Sequence, residues 1–487
     1  MTKTELVIVP TPGMGHLLST VEFAKLIVRT NLNISIVVLI YHIEINESTK
    51  IQSYIDSQSL EVDPTQIVFI TLPPLSNPPD SSDPNFLGTV ILRQNSLVKK
   101  AVQDRHSKPA AFVLDLINVS MIDIAKELHI PSYIYFTSGA NFLHTMLHFQ
   151  EIADEQGIAD VTGLMDDPDS VSDIPGFINP VPTKVLPWML LDKDGVWASK
   201  MIDLARRFRE AKGILVNSFA ELESSAIHVL QSQENVPTIY PVGPILSLEG
   251  RGDSKSSNND EESIISWLDG QPKSSVVFLC FGSMGCFDTE QVKEIADGLD
   301  RSGHRFLWSL RKPVLVSRNG GLPSEHMIFD DALPEGFIDR TAHKGKIIPW
   351  APQVAVLAHQ AIGGFVSHCG WNSILESIWF GVPLATWPMY AEQQLNAFTL
   401  VKELGLAVEI KIDYRWDMKK QKGNYLVKAE EVEAGVRKLM SMDNEMRAKV
   451  REMNELSRKV LQANGGSSHE SLIRFFADIN EDIILSS

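Results

Sequence analysis

His368, Asn372, Ser373 and Glu376 fall within one short stretch, SHCGWNSILE, and each is a residue type that holds oxygen-rich ligands. The run AIGGFVSH (361–368) is short, apolar and carries Val and Phe, which predicts a buried strand. The residues after it, CGWNSILESIWFG, place apolar side chains at helical spacing and stop at Gly381, which predicts a helix after a tight glycine-containing turn. The start of such a helix exposes unpaired N–H groups and the positive end of its dipole. An anion belongs there, with His368, Asn372 and Ser373 as added donors. One turn further in, Glu376 offers a carboxylate that accepts from two adjacent hydroxyls, as a ribose presents them. Trp350, just beyond the apolar run GKIIP (345–349), offers a flat face on which a base can stack.

The full segment from Trp350 to Gln393, WAPQVAVLAHQAIGGFVSHCGWNSILESIWFGVPLATWPMYAEQ, resembles the signature box of plant secondary-product UDP-dependent glycosyltransferases, members of family 1 glycosyltransferases. The resemblance implies that Trp350 stacks on uracil and Gln353 contacts the nucleoside. It implies that His368, Asn372 and Ser373 hold the diphosphate, Glu376 the ribose, and Glu392, Gln393 and Trp371 the sugar hydroxyls. Family members that close the box with Gln mostly use UDP-glucose, so glucose is the sugar implied; Glu392 stands where Asp precedes that Gln in the family pattern. The fold implied is of GT-B type, with two Rossmann-like domains facing a cleft. UDP-glucose is then a donor substrate, and neither a cofactor nor a metal is implied.

Taken singly these residues have plainer readings. A lone Trp before a proline-rich turn is usually a half-buried packing residue, and His368 beside Cys369 could be a core histidine. A metal site is poorly supported, since Cys280, Cys286 and Cys369 are the only cysteines and none forms a C-x-x-C pair. The fixed joint spacing favours the nucleotide-sugar reading.

The elements that must carry these residues alternate along the chain. LVIVP (6–10), ISIVVLIY (34–41), IVFITLP (67–73) and AFVLDL (111–116) read as strands, with a helical pattern in TVEFAKLIVRT (20–30). A second set begins at SVVFLCFGS (275–283) and continues through FLWSL, KIIPW, GGFVSH and PLATWP. This predicts an α/β protein of two doubly wound parallel sheets. The expected division is an acceptor-binding domain over 1–246, a polar linker over 247–262 and a nucleotide-sugar domain over 263–466. A C-terminal helix over 467–487 returns, by resemblance to the family, to the first domain. No internal repeat is visible.

Ligands in such sheets bind beyond the carboxyl ends of strands. There lies TPGMGHL, directly after the first strand, where Gly13 and Gly15 allow a tight turn that His16 closes. The third glycine of a dinucleotide fingerprint is missing. Asp115 ends the strand in VLDL and can reach the same rim. A histidine serves as general base when a carboxylate fixes its tautomer and stabilises the imidazolium. In the family resembled, a His of this first loop deprotonates the acceptor and an Asp of a later strand partners it, and His16 and Asp115 occupy those positions. The same comparison points to Thr137, in YFTSGANF, as a contact of the donor sugar. It also points to Ser283, in CFGSMG, whose hydroxyl and neighbouring N–H groups can meet a phosphate. Each has a structural alternative as a turn or strand-end group. The implied reaction is inverting transfer of glucose to a hydroxyl of a small lipophilic acceptor: a flavonoid, other phenolic or terpenoid. Asp167-Pro168-Asp169 is a D-x-D, but its irregular acidic surroundings read as a solvated loop.

The chain has 487 residues and a formal charge of −17, which suits two domains and disfavours a nucleic-acid partner. The apolar run in MTKTELVIVPTPGMGH is cut short by Pro10, Pro12 and Gly13, so neither a signal peptide nor a membrane span is expected. With three unpaired cysteines this points to a cytoplasmic protein, expected to be a monomer. N-glycosylation patterns at Asn46 and Asn118 are at chance level. Two other classes compete: a nicotinamide-dependent oxidoreductase, for which neither half supplies G-x-G-x-x-G, and a catalytically silent UDP-sugar binding protein. Residues 175–187 and the segment Phe142 to Phe149 resemble the family's variable acceptor-side regions, where aromatic side chains would suit a planar phenol or a terpenoid, with packing residues as an equal alternative for both.

Overall fold

The computed structural model describes residues 3–41, 48–80, 85–165, 167–193, 195–248, 258–311, 332–417 and 420–486. The N-terminal sheet contains β1 (Thr4–Val9), β2 (Ile34–Ile40), β3 (Ile67–Thr71), β4 (Ala111–Asp115) and β5 (Ser132–Phe136). A two-residue antiparallel pair, β6 (Val171–Ser172) and β7 (Val181–Pro182), lies apart, and β8 (Gly213–Val216) and β9 (Thr238–Pro241) complete the sheet. Its order is β3-β2-β1-β4-β5-β8-β9, parallel throughout.

The second sheet contains β10 (Val276–Cys280), β11 (Arg305–Ser309), β12 (Gly345–Ile348), β13 (Ile362–Ser367), β14 (Leu384–Thr386) and β15 (Ala407–Glu409). They are ordered β12-β11-β10-β13-β14-β15 and are likewise all parallel. β16 (Trp416–Asp417) and β17 (Lys422–Gly423) form a separate antiparallel pair.

Parallel strands covered by helices on both faces are apolar at successive positions rather than at alternate ones. Leu6, Val7, Ile8 and Val9 of β1 are at most 1% exposed, and Val276, Val277, Phe278 and Leu279 of β10 are wholly buried. Burying each such side chain contributes about 1.5–3 kcal/mol, which anchors both strands firmly in the core. One cluster of buried residues runs from the N-terminal sheet into the second, joining Phe136 and Phe142 to Phe278 and Trp371.

The helix Met14–Thr30 begins earlier than the periodicity alone indicates. Only Gly13 makes the turn: at φ 147° it occupies a region closed to other residues, and Gly15 and His16 already belong to the first helical turn. The strands β5, β8, β9 and β15 are not evident from pattern. The helix Asn258–Asp269 takes up the last part of the stretch expected to be linker, and residues 249–257 of it lie outside the described residues. In the C-terminal helix Ser467–Ser486, Leu472, Phe475, Phe476 and Ile479 share a core with β1, β2 and β5, and Phe475 meets the Tyr133 ring edge-on at 4.9 Å. No helix among the described residues is long and apolar enough to cross a membrane.

Candidate active site

Each sheet has one place where the strand order reverses direction, and the polar residues gather there. In the N-terminal sheet it lies between β1 and β4, paired in register from Leu6↔Ala111 to Val9↔Leu114. In the second it lies between β10 and β13, paired up to Cys280↔Ser367. Helices leave such a pair of strands toward opposite faces, so a crevice opens beyond their carboxyl ends.

At the first crevice His16 Nδ1 lies 2.8 Å from Asp115 Oδ2, the carboxylate being 1% exposed and the histidine side chain 33% exposed. Thr11 Oγ1 donates to Asp115 Oδ1 at 2.5 Å, and the Ile117 N–H approaches the same oxygen at 3.4 Å. Both carboxylate oxygens are thus committed, which fixes the plane Asp115 presents to the imidazole. Thr137 Oγ1 adds a contact to His16 Nδ1 at 3.3 Å. Burial works against protonation of His16. The charge of Asp115, its hydrogen bond and the more distant Glu392 outweigh it, so the His16 pKa rises above the ordinary 6.5. An imidazole held through Nδ1 leaves Nε2 as the basic nitrogen.

At the second crevice β13 ends in Ser367, and Cys369 turns the chain with φ 62°. This left-handed conformation is uncommon outside glycine and is held at both peptide groups. The Cys369 N–H donates to Ser367 Oγ at 3.1 Å, and Asn396 Nδ2 donates to the Cys369 carbonyl at 3.1 Å. The helix Trp371–Phe380 then opens on Gly370 with no side-chain cap and closes on Gly381 in the left-handed region. Its first-turn N–H groups are offered without a capping side chain. His368 is wedged between glycines: a Cβ on Gly282 or Gly370 would lie 2.5 Å from His368 Nε2. Burial, with Arg311 adding, pushes the His368 pKa down to about 3, so this ring is a neutral donor rather than a cation at physiological pH.

From a separate helix, Gln353–Ala358, Gln353 Nε2 donates to Ser373 Oγ at 2.8 Å and to Glu376 Oε2 at 2.7 Å. Trp350, Gln353, His368, Asn372, Ser373 and Glu376 line one cleft of about 590 Å³, which Ser283, Trp371 and Gly15 also border. That volume suits a ligand of nucleotide-sugar size. His16, Asp115, Thr137, Glu392 and Gln393 are not among the residues lining it. Glu392 nevertheless reaches toward the first crevice, where Ser138 Oγ donates to its Oε1 at 2.9 Å. Gln393 is buried, and its amide oxygen accepts the N–H groups of Met389 and Tyr390 at 2.9 and 3.0 Å. Asn372 Nδ2 stands 3.5 Å from the Gly15 carbonyl.

Trp371, which the resemblance places against the sugar hydroxyls, uses its indole N–H on the Asn217 carbonyl at 2.7 Å. Phe142 and Phe149 are 4% and 2% exposed, with Phe142 against Phe136 at 5.7 Å, so these rings fill the core and do not face an acceptor. Asn118 is wholly buried, with its Oδ1 accepting from Tyr41 and its Nδ2 donating to Val9, which removes it as a glycosylation acceptor; Asn46 lies outside the described residues. Asp167 and Asp169 form an exposed turn in which Asp167 Oδ1 accepts the Asp169 N–H at 2.9 Å. No group of three His, Cys, Asp or Glu side chains among the described residues could hold a metal ion.

Several residues of the site carry no signal in the sequence. Thr11 and Ser138 are single hydroxyls whose partners lie far along the chain. Arg311 closes the strand region FLWSL and looks like an ordinary surface residue, but it is only 7% exposed and donates through Nη1 to the Ser283 carbonyl at 2.5 Å.

Comparison with known proteins agrees with this arrangement. The family model described as "UDP-glucoronosyl and UDP-glucosyl transferase" matches residues 207–418. The chain is 47% identical to UDP-glycosyltransferase 71A15 of Malus domestica, over 98% of this chain and 99% of that one. It is 48% identical to a putative UDP-glucose flavonoid 3-O-glucosyltransferase 3 of Fragaria ananassa, with the same coverage of 98% and 99%. Among solved structures, Medicago truncatula UGT71G1 complexed with UDP-glucose superposes with a TM-score of 0.86 at 43% identity, covering 98% of each chain. A UGT transferase from Siraitia grosvenorii in complex with UDP gives 0.86 at 44% identity, covering 99% of this chain and 100% of that one. The two-sheet arrangement with a nucleotide crevice between the sheets is the GT-B fold, and the chain belongs to the UDP-glucuronosyl and UDP-glucosyl transferase family as an enzyme of the plant UDP-glycosyltransferase type.

Proposed function

We propose that the protein transfers glucose from UDP-glucose to a hydroxyl of a small lipophilic acceptor, a flavonoid, other phenolic or terpenoid, with inversion at the anomeric carbon. His16 is the general base and Asp115 its partner. The observation that carries this reading is the 2.8 Å contact of His16 Nδ1 with a buried, doubly held carboxylate beside a nucleotide-sized cleft. In the proposed step the acceptor O–H gives its proton to His16 Nε2 and its oxygen bonds to C1. The bond from C1 to the diphosphate oxygen breaks, and its electron pair leaves with UDP. No covalent enzyme intermediate is needed. Growing charge on the diphosphate meets the helix start at Trp371, with His368, Asn372, Ser373 and Ser283. Gln353 ties the ribose carboxylate Glu376 to Ser373. Ser138 and Thr137 bring Glu392 and His16 toward the same sugar.

The names of relatives support glucose as the sugar, since the Fragaria ananassa protein is described as a UDP-glucose flavonoid glucosyltransferase. We assign the acceptor side to residues 1–246, the donor side to 263–466 and the return helix to 467–487, and expect a cytoplasmic monomer whose three cysteines stay reduced. The test is direct: the purified chain is incubated with UDP-glucose and a panel of phenolics and terpenoids, and UDP and glucoside are measured by mass spectrometry. A β-glucoside is expected. UDP binding without any glucoside would leave a silent binder, and an α-glucoside would remove the single-displacement mechanism. His16→Ala should lose nearly all transfer and keep UDP binding.

A further inference from the structure

The second crevice faces a charge problem. A leaving diphosphate gains negative charge as the bond to C1 breaks, His368 is neutral, and no metal-holding cluster occurs among the described residues. Hydroxyls, amides and a helix start supply only partial charges.

Arg311 stands where a full charge is missing. It lies two residues past the end of β11 (Arg305–Ser309), the strand paired with β10, so it emerges at the same rim as Gly282 and Ser283. Its side chain lines the cleft with His368 and Ser373. One guanidinium nitrogen is used on the Ser283 carbonyl, while Nε is buried without a hydrogen-bond partner. Among the described residues no carboxylate pairs with it. A guanidinium buried this deeply without a counter-ion is costly and is kept where an anion completes it. The groups that feel its charge, His368, Tyr390 and Cys286, are all neutral at physiological pH. Arg458, which also borders the cleft, is placed differently, lying over the Trp379 ring and donating to the Trp379 carbonyl.

We propose that Arg311 contacts the donor's diphosphate and carries the positive charge that offsets it as UDP leaves. The proposal rests on the donor-site reading above and adds a residue to it. Arg311 also holds the Ser283 loop by its carbonyl, so the guanidinium and the Ser283 hydroxyl present together to the phosphates.

The experiment compares uridine, UMP and UDP by calorimetry on the wild-type chain, Arg311→Gln and Arg311→Lys. Removing a charge-assisted hydrogen bond should weaken UDP binding by roughly 10- to 100-fold in Arg311→Gln. Uridine binding should stay unchanged, which also reports that the site is folded. Arg311→Lys should recover part of the UDP affinity, because it keeps the charge and loses the planar fork. Turnover with UDP-glucose should fall in the same order. Equal weakening of uridine and UDP would make Arg311 a brace for the loop, and undiminished UDP binding would remove it from the site. Either result overturns the proposal while leaving the donor assignment intact. Failure of the wild-type chain to bind UDP would instead overturn the donor assignment itself.

Discussion

Replacing Asp115 with Asn keeps the size of the side chain and removes one charge, which makes it the sharpest probe of the proposed base. The carboxylate is held at both oxygens, by Thr11 Oγ1 at 2.5 Å and His16 Nδ1 at 2.8 Å. An asparagine that keeps its oxygen on Thr11 must turn its NH2 toward His16. Nδ1 then becomes an acceptor, and the ring proton moves to Nε2, the nitrogen that has to take the acceptor's proton. The opposite flip strands Thr11 and still lacks the charge that stabilises the imidazolium. General-base assistance contributes about 10²- to 10⁴-fold, and the wrong tautomer forfeits most of it, so kcat should fall by roughly that range. The pH profile gives a second, independent signature. In the native protein Asp115 raises the His16 pKa above 6.5, so kcat/KM should fall as pH drops through that raised value. Without Asp115, the burial that lowers the pKa has only the distant Glu392 against it, and the acid limb should move to lower pH. The deficit of the variant should therefore narrow toward acid pH, where the native base is already protonated. Rates of UDP release at saturating and at limiting phenolic acceptor, which give kcat and kcat/KM, measured from about pH 5 to pH 9 around the histidine value, test both points. A variant with native kcat and an unshifted profile would refute the reasoning, and a drop in UDP affinity would show instead a collapse of the cleft.

Glu376→Gln should raise the UDP-glucose KM by roughly 10- to 100-fold with little change in kcat, since a carboxylate in the proposed ribose role grips its ligand to the same extent before and during transfer. Donor kinetics that do not change would take Glu376 out of the ribose site. Gly370→Ala places a Cβ 2.5 Å from His368 Nε2 at a backbone φ of −64° that alanine tolerates, so its effect is purely steric. Overpacking of this kind costs about 1–3 kcal/mol. A lowered Tm with weaker UDP binding is expected, and a variant that melts and binds like the native chain would show that His368 has room to move. Transfer should survive EDTA; inactivation reversed by a divalent cation would point to a metal that the described side chains do not provide for.

The proposed donor half is legible because its residues follow one another through a single strand, turn and helix. Local spacing decides that His368, Asn372, Ser373 and Glu376 share a face. His16 and Asp115 need one further inference, that their strands are neighbours, and the β1–β4 pairing supplies it. What escapes reading are the partners of these groups. Thr11, Ser138, Asn217 and Arg311 are single polar residues without periodicity, and their contacts join segments far apart in sequence. The hydrogen bond of the Trp371 indole is hidden for the same reason, since its acceptor is a carbonyl of the other sheet's connecting chain. The strands β5, β8, β9 and β15 are hidden because short buried runs do not differ in pattern from buried helix segments.

Trp371 is the first residue of the helix whose start borders the nucleotide-sized cleft, and its indole is fastened to Asn217 at 2.7 Å on the opposite side. Its ring also lies where a side chain on Gly139 would collide, 2.8 Å from the built Cβ. The clasp between the two sides and the proposed grip on the nucleotide are therefore parts of one helical turn. Where release of UDP requires the two sides to part, that clasp has to let go first. Trp371→Phe removes the clasp but keeps the ring; where opening sets the pace, this variant should release product faster and lose the dependence of kcat on solvent viscosity.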